Sequence, residues 1–250
     1  MSRVNLEDVS VQIPVFDANS LRLLRMPSFL RAKVGTRNVT HAGARTIVHP
    51  LSNLDLALTE GDRVCIIGHN GAGKTTLLRV LAGIYPPSSG RVAIEGKVMA
   101  LLGQNLSPNP DGTGYENIGL IANLFDWPKE RLPEYIRDIE EFTELGEYLA
   151  LPTRIYSAGM NARLSFAMAT IRVPDVLLID EAIGAGDAHF QVKARARTEE
   201  FISRAKIMVM ASHAIDFCRL MCNKALLLAN GRRVFFGDLE EGFARYAELR

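Results

Sequence analysis

Residues 68–76 read Gly68-His69-Asn70-Gly71-Ala72-Gly73-Lys74-Thr75-Thr76. The spacing is that of a phosphate-binding P-loop: a glycine, four free positions, a second glycine, a lysine and a hydroxyl residue. The glycines let backbone N–H groups curl around a polyphosphate, and a helix starting there adds the positive end of its dipole. Lys74 reaches the β- and γ-oxygens, and the Thr75 hydroxyl is a ligand for Mg²⁺. A glycine-rich turn by itself would be a weak signal. Here the apolar run Val64-Cys65-Ile66-Ile67 enters it as a buried strand, and Thr76-Leu77-Leu78-Arg79-Val80-Leu81 leaves it with helical spacing.

Two further clusters fit the same chemistry. Val176-Leu177-Leu178-Ile179-Asp180-Glu181 is an apolar strand ending in two carboxylates, at the strand end where ligands bind in a parallel sheet. Asp180 is placed to hold Mg²⁺, and Glu181 to polarise a water attacking the γ-phosphate in line. The alternative, a strand that merely ends at polar residues, loses force beside a P-loop. Tyr156-Ser157-Ala158-Gly159-Met160 opens a helix with Ser157 as a natural N-cap, and the small residues beside it leave N–H groups open to an anion. Read alone, that is only a capped helix.

The elements that must position these residues follow from the pattern. Residues 4–15 alternate β-branched side chains as a first strand. Residues 51–67 form two strands joined at Thr59-Glu60-Gly61-Asp62, and 91–102 a strand pair turning at Gly96. Residues 116–150 are helical and acidic, followed by a helix beyond Pro152, a strand at 176–179, a helix at about 189–205 and a strand at 207–211. The C-terminal part reads helix, strand, turn at Gly231, strand, helix. This is an α/β fold, strands alternating with helices around a mainly parallel sheet, with a helical insertion between its halves.

The bulk numbers set limits. A chain of 250 residues with 48% hydrophobic and 23% charged residues has material for one sizeable α/β core. A net charge of +1 gives no argument for nucleic acid. No apolar run is long enough to cross a bilayer and no signal-peptide pattern opens the chain, so it is expected in the cytosol or on the cytosolic face of a membrane assembly. Cys65, Cys218 and Cys222 lack the partners of a metal site and read as buried or half-buried free thiols. From Ala18 to Leu54 there is no acidic residue, while Arg22, Arg25, Arg31, Lys33, Arg37 and Arg45 are interleaved with leucines and Phe29. That stretch is either a solvated basic insertion or an amphipathic surface for anionic lipid headgroups or a phosphorylated ligand.

The order P-loop, glutamine, Ser-x-Gly helix start, Asp-Glu strand and histidine resembles the ATP-binding cassette (ABC) ATPases over nearly the whole chain. The resemblance implies a single ABC ATPase domain over 1–250. Its parts would be the parallel core sheet, an antiparallel β-subdomain, a basic N-terminal insertion at about 18–46 and a helical subdomain at about 105–172. It implies ATP and Mg²⁺ as cofactors and a second copy of the chain as partner, with two ATPs sandwiched between the copies. Ser157 and Gly159 would then touch the nucleotide held by the other copy's P-loop. Ala158 and Met160 depart from the glycine and glutamine usual there, which leaves those contacts to Ser157 and Gly159. The resemblance makes Gln104 the glutamine-loop residue that senses Mg²⁺ and attacking water, Asp187 a residue crossing the dimer interface, and His213 the switch histidine near the γ-phosphate. The slot for an adenine-stacking aromatic falls near His49.

Tyr156-Ser-x-Gly-Met, Gly186-Asp187-Ala188-x-Phe190-Gln191, Thr113-Gly114-Tyr115-Glu116-Asn117-Ile118 and Glu144-Leu145-Gly146 are similar to the ATPase subunits of bacterial polysaccharide exporters. Those subunits serve O-antigen, capsule or teichoic-acid type chains on a lipid carrier. The implied partner is an integral membrane transporter subunit, and the implied location the cytoplasmic face of the cell membrane. Residues 22–45 would be the candidate contact for anionic lipid or the lipid-diphosphate carrier. The sequence stops at Arg250, so the C-terminal carbohydrate-binding domain of some relatives is not expected. The rival readings are an importer or another exporter ATPase, a soluble ABC ATPase acting on nucleic acid, and a P-loop kinase. The kinase leaves Ser157, Asp187 and His213 unexplained.

Overall fold

The computed structural model describes residues 1–15, 39–42, 45–102, 108–180, 188–212 and 214–249. These fall into two compact units. One holds the described residues of 1–102, 175–180 and 206–249, the other those of 108–174 and 188–205.

The first unit contains the ten strands found among the described residues: β1 (Arg3–Val15), β2 (Val39–Ala42), β3 (Arg45–Thr59), β4 (Arg63–Ile67), β5 (Ser89–Glu95), β6 (Val98–Leu102), β7 (Val176–Asp180), β8 (Ile207–Ala211), β9 (Lys224–Ala229) and β10 (Arg232–Asp238). Six of them form a sheet in the order β10-β9-β4-β8-β7-β6, parallel from β9 to β6 with β10 antiparallel at its edge. The others form an antiparallel sheet, β2-β3-β1-β5. Strands β4, β7 and β8 are almost wholly apolar because a parallel strand is covered on both faces. Helix α1 (Lys74–Leu81) buries Leu77, Leu78, Val80 and Leu81 in one core with Val4 and Leu6 of β1, Leu54 and Leu56 of β3, and Val64 and Ile66 of β4.

Part of the expected N-terminal insertion is sheet. Thr46, Ile47 and Val48 extend β3 backwards, pairing with Val15, Pro14 and Ile13 of β1 and with β2. Pro50 hides this in the sequence, since proline cannot donate within a ladder. It is accommodated where the β1–β3 register shifts between Val11 and Ile13. The rest of that insertion, residues 18–38 and 43–44, lies outside the described residues.

The second unit is built from α2 (Gly114–Leu124), α3 (Leu132–Thr143), α4 (Ala158–Thr170) and α5 (Ala188–Arg204), with short 3₁₀ turns at Lys129–Arg131, Gly146–Ala150 and Thr153–Ile155. The helical run expected at 116–150 is broken by Asp126 and Glu144, both at positive φ, and by Pro128. Helix α5, which the sequence pattern groups with the alternating strands, packs in this unit. Its Phe190 lies edge-on to Phe142 of α3 at 5.2 Å, and its Arg197 sits 4.4 Å over the Phe142 ring and pairs with Asp138. Helices α6 (Ile215–Met221) and α7 (Leu239–Glu248) complete the first unit.

Helix α2 starts with a capping box. The Thr113 side chain accepts from the Glu116 N–H, and the Glu116 carboxylate accepts from the Thr113 N–H at 2.7 Å. That bond holds the Glu116 carboxyl below its ordinary pKa. Gly114 is required by close approach: a Cβ there would stand 2.8 Å from the Tyr156 hydroxyl and 2.8 Å from Leu149 Cδ2. Gly114→Ala should therefore destabilise the helical unit by about 1–3 kcal/mol through overpacking. Urea melts followed by the fluorescence of Trp127, the only tryptophan in the chain, check this. Melts that superimpose on the parent's would show that the contact yields freely.

Candidate nucleotide-binding site

The P-loop turns out of β4 and into α1. Gly68, Gly71 and Gly73 have φ of +153°, +81° and +107°, a sequence of positive values that L side chains rarely adopt. Two of these glycines are also wedged. A Cβ on Gly68 would lie 2.3 Å from the Leu228 carbonyl oxygen, and one on Gly73 2.4 Å from that of Pro50. The β9–β10 turn closes the frame, with the Gly231 N–H donating to the Ala72 carbonyl at 3.1 Å and the Ser52 N–H to the Gly231 carbonyl at 2.8 Å.

Gly73 is the N-cap of α1 and offers no side chain to the first-turn N–H groups, and no acidic residue stands in that turn. The helix start is thus left to an anion. Lys74 Nζ donates to the carbonyls of Gly68 at 2.7 Å and His69 at 3.1 Å, which lays the ammonium across the loop. His69 and Asn70 are exposed, while Lys74, Thr75 and Thr76 are half-buried.

Asp180 ends β7 at the same level as the P-loop strand. It pairs in register with Ala211 of β8, which pairs with Ile66 of β4. Two strand spacings put β7 roughly 10 Å from β4. Asp180 is half-buried there. Among the described residues no group of three or more His, Cys, Asp or Glu could hold a metal. Thr75 and Asp180 instead supply the hydroxyl and single carboxylate that suit a Mg²⁺ completed by phosphate oxygens and water. His49 lies on β3, one residue before the Pro50 carbonyl that touches the P-loop. Gln104, Glu181, Asp187 and His213 lie outside the described residues.

On the helical unit, Ser157 is the N-cap of α4 with its Oγ accepting from the Met160 N–H at 3.2 Å. Ser157 and Ala158 are exposed, and the space at Gly159 is open, its nearest neighbour being Ser157 Oγ at 3.8 Å from where a Cβ would stand.

The cysteines are free: Cys65 and Cys218 are buried with their Sγ atoms 2.8 Å apart, and Cys222 is half-buried. The bond from Cys218 favours the Cys65 thiolate, but its bond to Cys222 and burial outweigh that and push the thiol pKa up; Cys218 is raised by its bond to Cys65 and by burial. Both are thereby held toward the thiol form.

The ABC transporter family profile matches residues 51–184. The chain is 41% identical over 235 residues to the O-antigen export ATP-binding protein RfbE of Yersinia enterocolitica, covering 92% of this chain and 96% of that one. It belongs to the ABC transporter family. It is also 34% identical over 200 residues to the teichoic acids export ATP-binding protein TagH of Shouchella clausii, spanning 80% of this chain and 55% of TagH. Among solved structures, a dimeric post-hydrolysis state of the ATP-binding cassette MJ0796 with ADP and Pi overlays with a TM-score of 0.65 at 20% identity, covering 94% of this chain and 98% of the other. That likeness establishes the ABC cassette fold.

Sequence reasoning missed two supports of the site. The Pro50 and Leu228 carbonyls behind the P-loop left no trace, being 23 and more positions from the residues they touch. The capping box at Thr113 did leave one, the Thr-x-x-Glu spacing in Thr113-Gly114-Tyr115-Glu116. Gly73→Ala should abolish ATP binding by driving a methyl into the Pro50 carbonyl. Lys74→Ala should weaken binding roughly ten- to a hundredfold, the value of a charge-assisted contact. Titration with a fluorescent ATP analogue checks both, and parent-like affinity in Gly73→Ala would contradict the wedge.

Proposed function

We propose that this chain is the ATP-hydrolysing subunit of an exporter for a lipid-linked polysaccharide of the O-antigen type. It acts as a homodimer beside a separate transmembrane subunit, on the cytoplasmic face of the membrane. The observation that carries the reading is the near full-length likeness to an O-antigen export ATP-binding protein, joined to a P-loop whose backbone frame is complete. No helix among the described residues is long and apolar enough to cross a membrane, so passage of the glycan falls to the partner. The helical unit carries a surface on which such a partner would dock. Leu120 and Leu124 of α2 are exposed, as are Tyr148, Leu151 and Ile155 just before the Ser157 turn.

In this reading the glycine N–H groups and Lys74 hold the β- and γ-phosphates, and Thr75 and Asp180 hold Mg²⁺, with Gln104 as a further contact to it. The ion supplies charge neutralisation to the phosphates. Glu181 takes the proton of the attacking water as it forms its bond to the γ-phosphorus, while the bond to the β,γ-bridging oxygen breaks and ADP leaves. His213 and Gln104 position the γ-phosphate and that water. Ser157 and Gly159 of one copy, with Asp187 crossing between copies, complete the site built on the other copy's P-loop. His49 lies against the adenine. ATP binds the closed pair better than the open one, so binding closes the dimer and hydrolysis lets it open. The segment 22–45 is proposed to contact lipid or the lipid-diphosphate carrier.

Glu181→Gln should retain ATP binding, lose nearly all turnover and accumulate as an ATP-bound dimer. Steady-state phosphate release and sedimentation with Mg-ATP check this. Hydrolysis near the parent rate would remove Glu181 from the role of base.

A further inference from the structure

Asn117 is only 3% exposed, yet it carries an amide on the first turn of α2 that phosphate chemistry does not call for. Its Oδ1 accepts from the Asn109 N–H at 2.6 Å. Its Nδ2 donates to the carbonyls of Asn109 at 3.1 Å, Gly112 at 3.3 Å and Thr113 at 2.9 Å. The loop 109–113 is wound around this one side chain.

The same loop is fastened to the segment that leads into Ser157. Thr153, 2% exposed, donates from Oγ1 to the Asn109 carbonyl at 2.7 Å, so that oxygen receives both buried side chains. The Thr153 N–H donates to the Gly112 carbonyl and the Arg154 N–H to that of Pro110, each at 2.9 Å. Arg154 pairs with Asp111 at 3.0 Å. From α4 itself, Asn161 Nδ2 donates to the Thr153 carbonyl at 3.4 Å.

An exposed N-cap needs none of this. Surface turns are ordinarily loose, and burying polar side chains is justified only where every group is satisfied and position matters. We propose that Asn117 and Thr153 are positioning residues for Ser157. They clamp loop 109–113 to the turn before α4, so that Ser157 is presented to the partner copy's nucleotide at a fixed place. A hydrogen bond to phosphate weakens steeply as its geometry degrades, so loosening the clamp weakens ATP-driven closure and leaves the chain's own P-loop untouched. This rests on the dimer reading above.

The test uses the full chain carrying Glu181→Gln, in which Mg-ATP-driven dimerisation is measured by sedimentation. ATP affinity of the monomer is measured separately at low chain concentration, and folding by thermal melting. Thr153→Val, which keeps the shape and loses the Oγ donor, should weaken dimerisation about fivefold, the value of one neutral hydrogen bond. Thr153→Ser should restore it, and monomer ATP affinity should stay within about twofold in both, because the clamp and the P-loop share no residue. Asn117→Asp, which loses all three donated bonds, should weaken dimerisation by about tenfold or more; if it does not fold, the Thr153 pair decides alone. Parent-like dimerisation in Thr153→Val overturns the inference, and so does a loss that Thr153→Ser fails to rescue or that comes with loss of monomer binding. A Glu181→Gln parent that never dimerises overturns the dimer reading and the inference with it.

Discussion

The carbonyls of Pro50 and Leu228, from β3 and β9, press against Gly73 and Gly68 so closely that no side chain fits between. That contact holds the P-loop in a run of positive φ angles and keeps its N–H groups turned toward an incoming phosphate. Preorganised donors lose little on binding, which is why a backbone cradle outperforms flexible side chains for polyphosphates. Much of the first unit serves this frame. β3 delivers Pro50, β9 delivers Leu228, the turn at Gly231 bonds Ala72, and the apolar strands β4, β8 and β7 set Asp180 level with the loop.

The helical unit poses the complementary problem of keeping an exposed turn in one place. Ser157 caps α4 with its side chain already bonded to the Met160 N–H, so its direction is set locally. Its placement is set by the buried amide and hydroxyl of Asn117 and Thr153. The aromatic cluster of Phe142, Phe166 and Phe190, with Arg163 and Arg197 over its rings, ties α3, α4 and α5 together. The described residues thus include two helix starts of unlike kind, one capped by a glycine with no side chain to offer and one capped by an exposed serine.

Much of this was legible in the sequence because it is local. The P-loop glycines, Lys74 and Thr75 follow a strict spacing. The strands at 64–67, 176–180 and 207–211 announce themselves as apolar runs, and Ser157 reads as an N-cap. What was not legible is non-local. Nothing near Pro50 says that its carbonyl will meet Gly73, and Pro50 itself conceals the backward extension of β3 to Arg45. The allegiance of α5 to the helical unit is decided by Phe190 finding Phe142, a contact between residues 48 positions apart in number. In the sequence Asn117 is one member of the 113–118 motif, and only the folded loop 109–113 reveals what its amide bonds.

The central claim is that one nucleotide is held by the Lys74 loop of one copy and the Ser157 turn of the other. Mixing two inactive chains tests it most directly, each also carrying Glu181→Gln so that bound ATP is retained. One is Lys74→Ala and the other Ser157→Arg. Mixed dimers then contain a single site with both elements intact, drawn from different copies. Retention of radiolabelled ATP on filtration should be near zero for each chain alone and should rise in the mixture toward one ATP per mixed dimer. A mixture that holds no more ATP than its separate components would contradict the shared site.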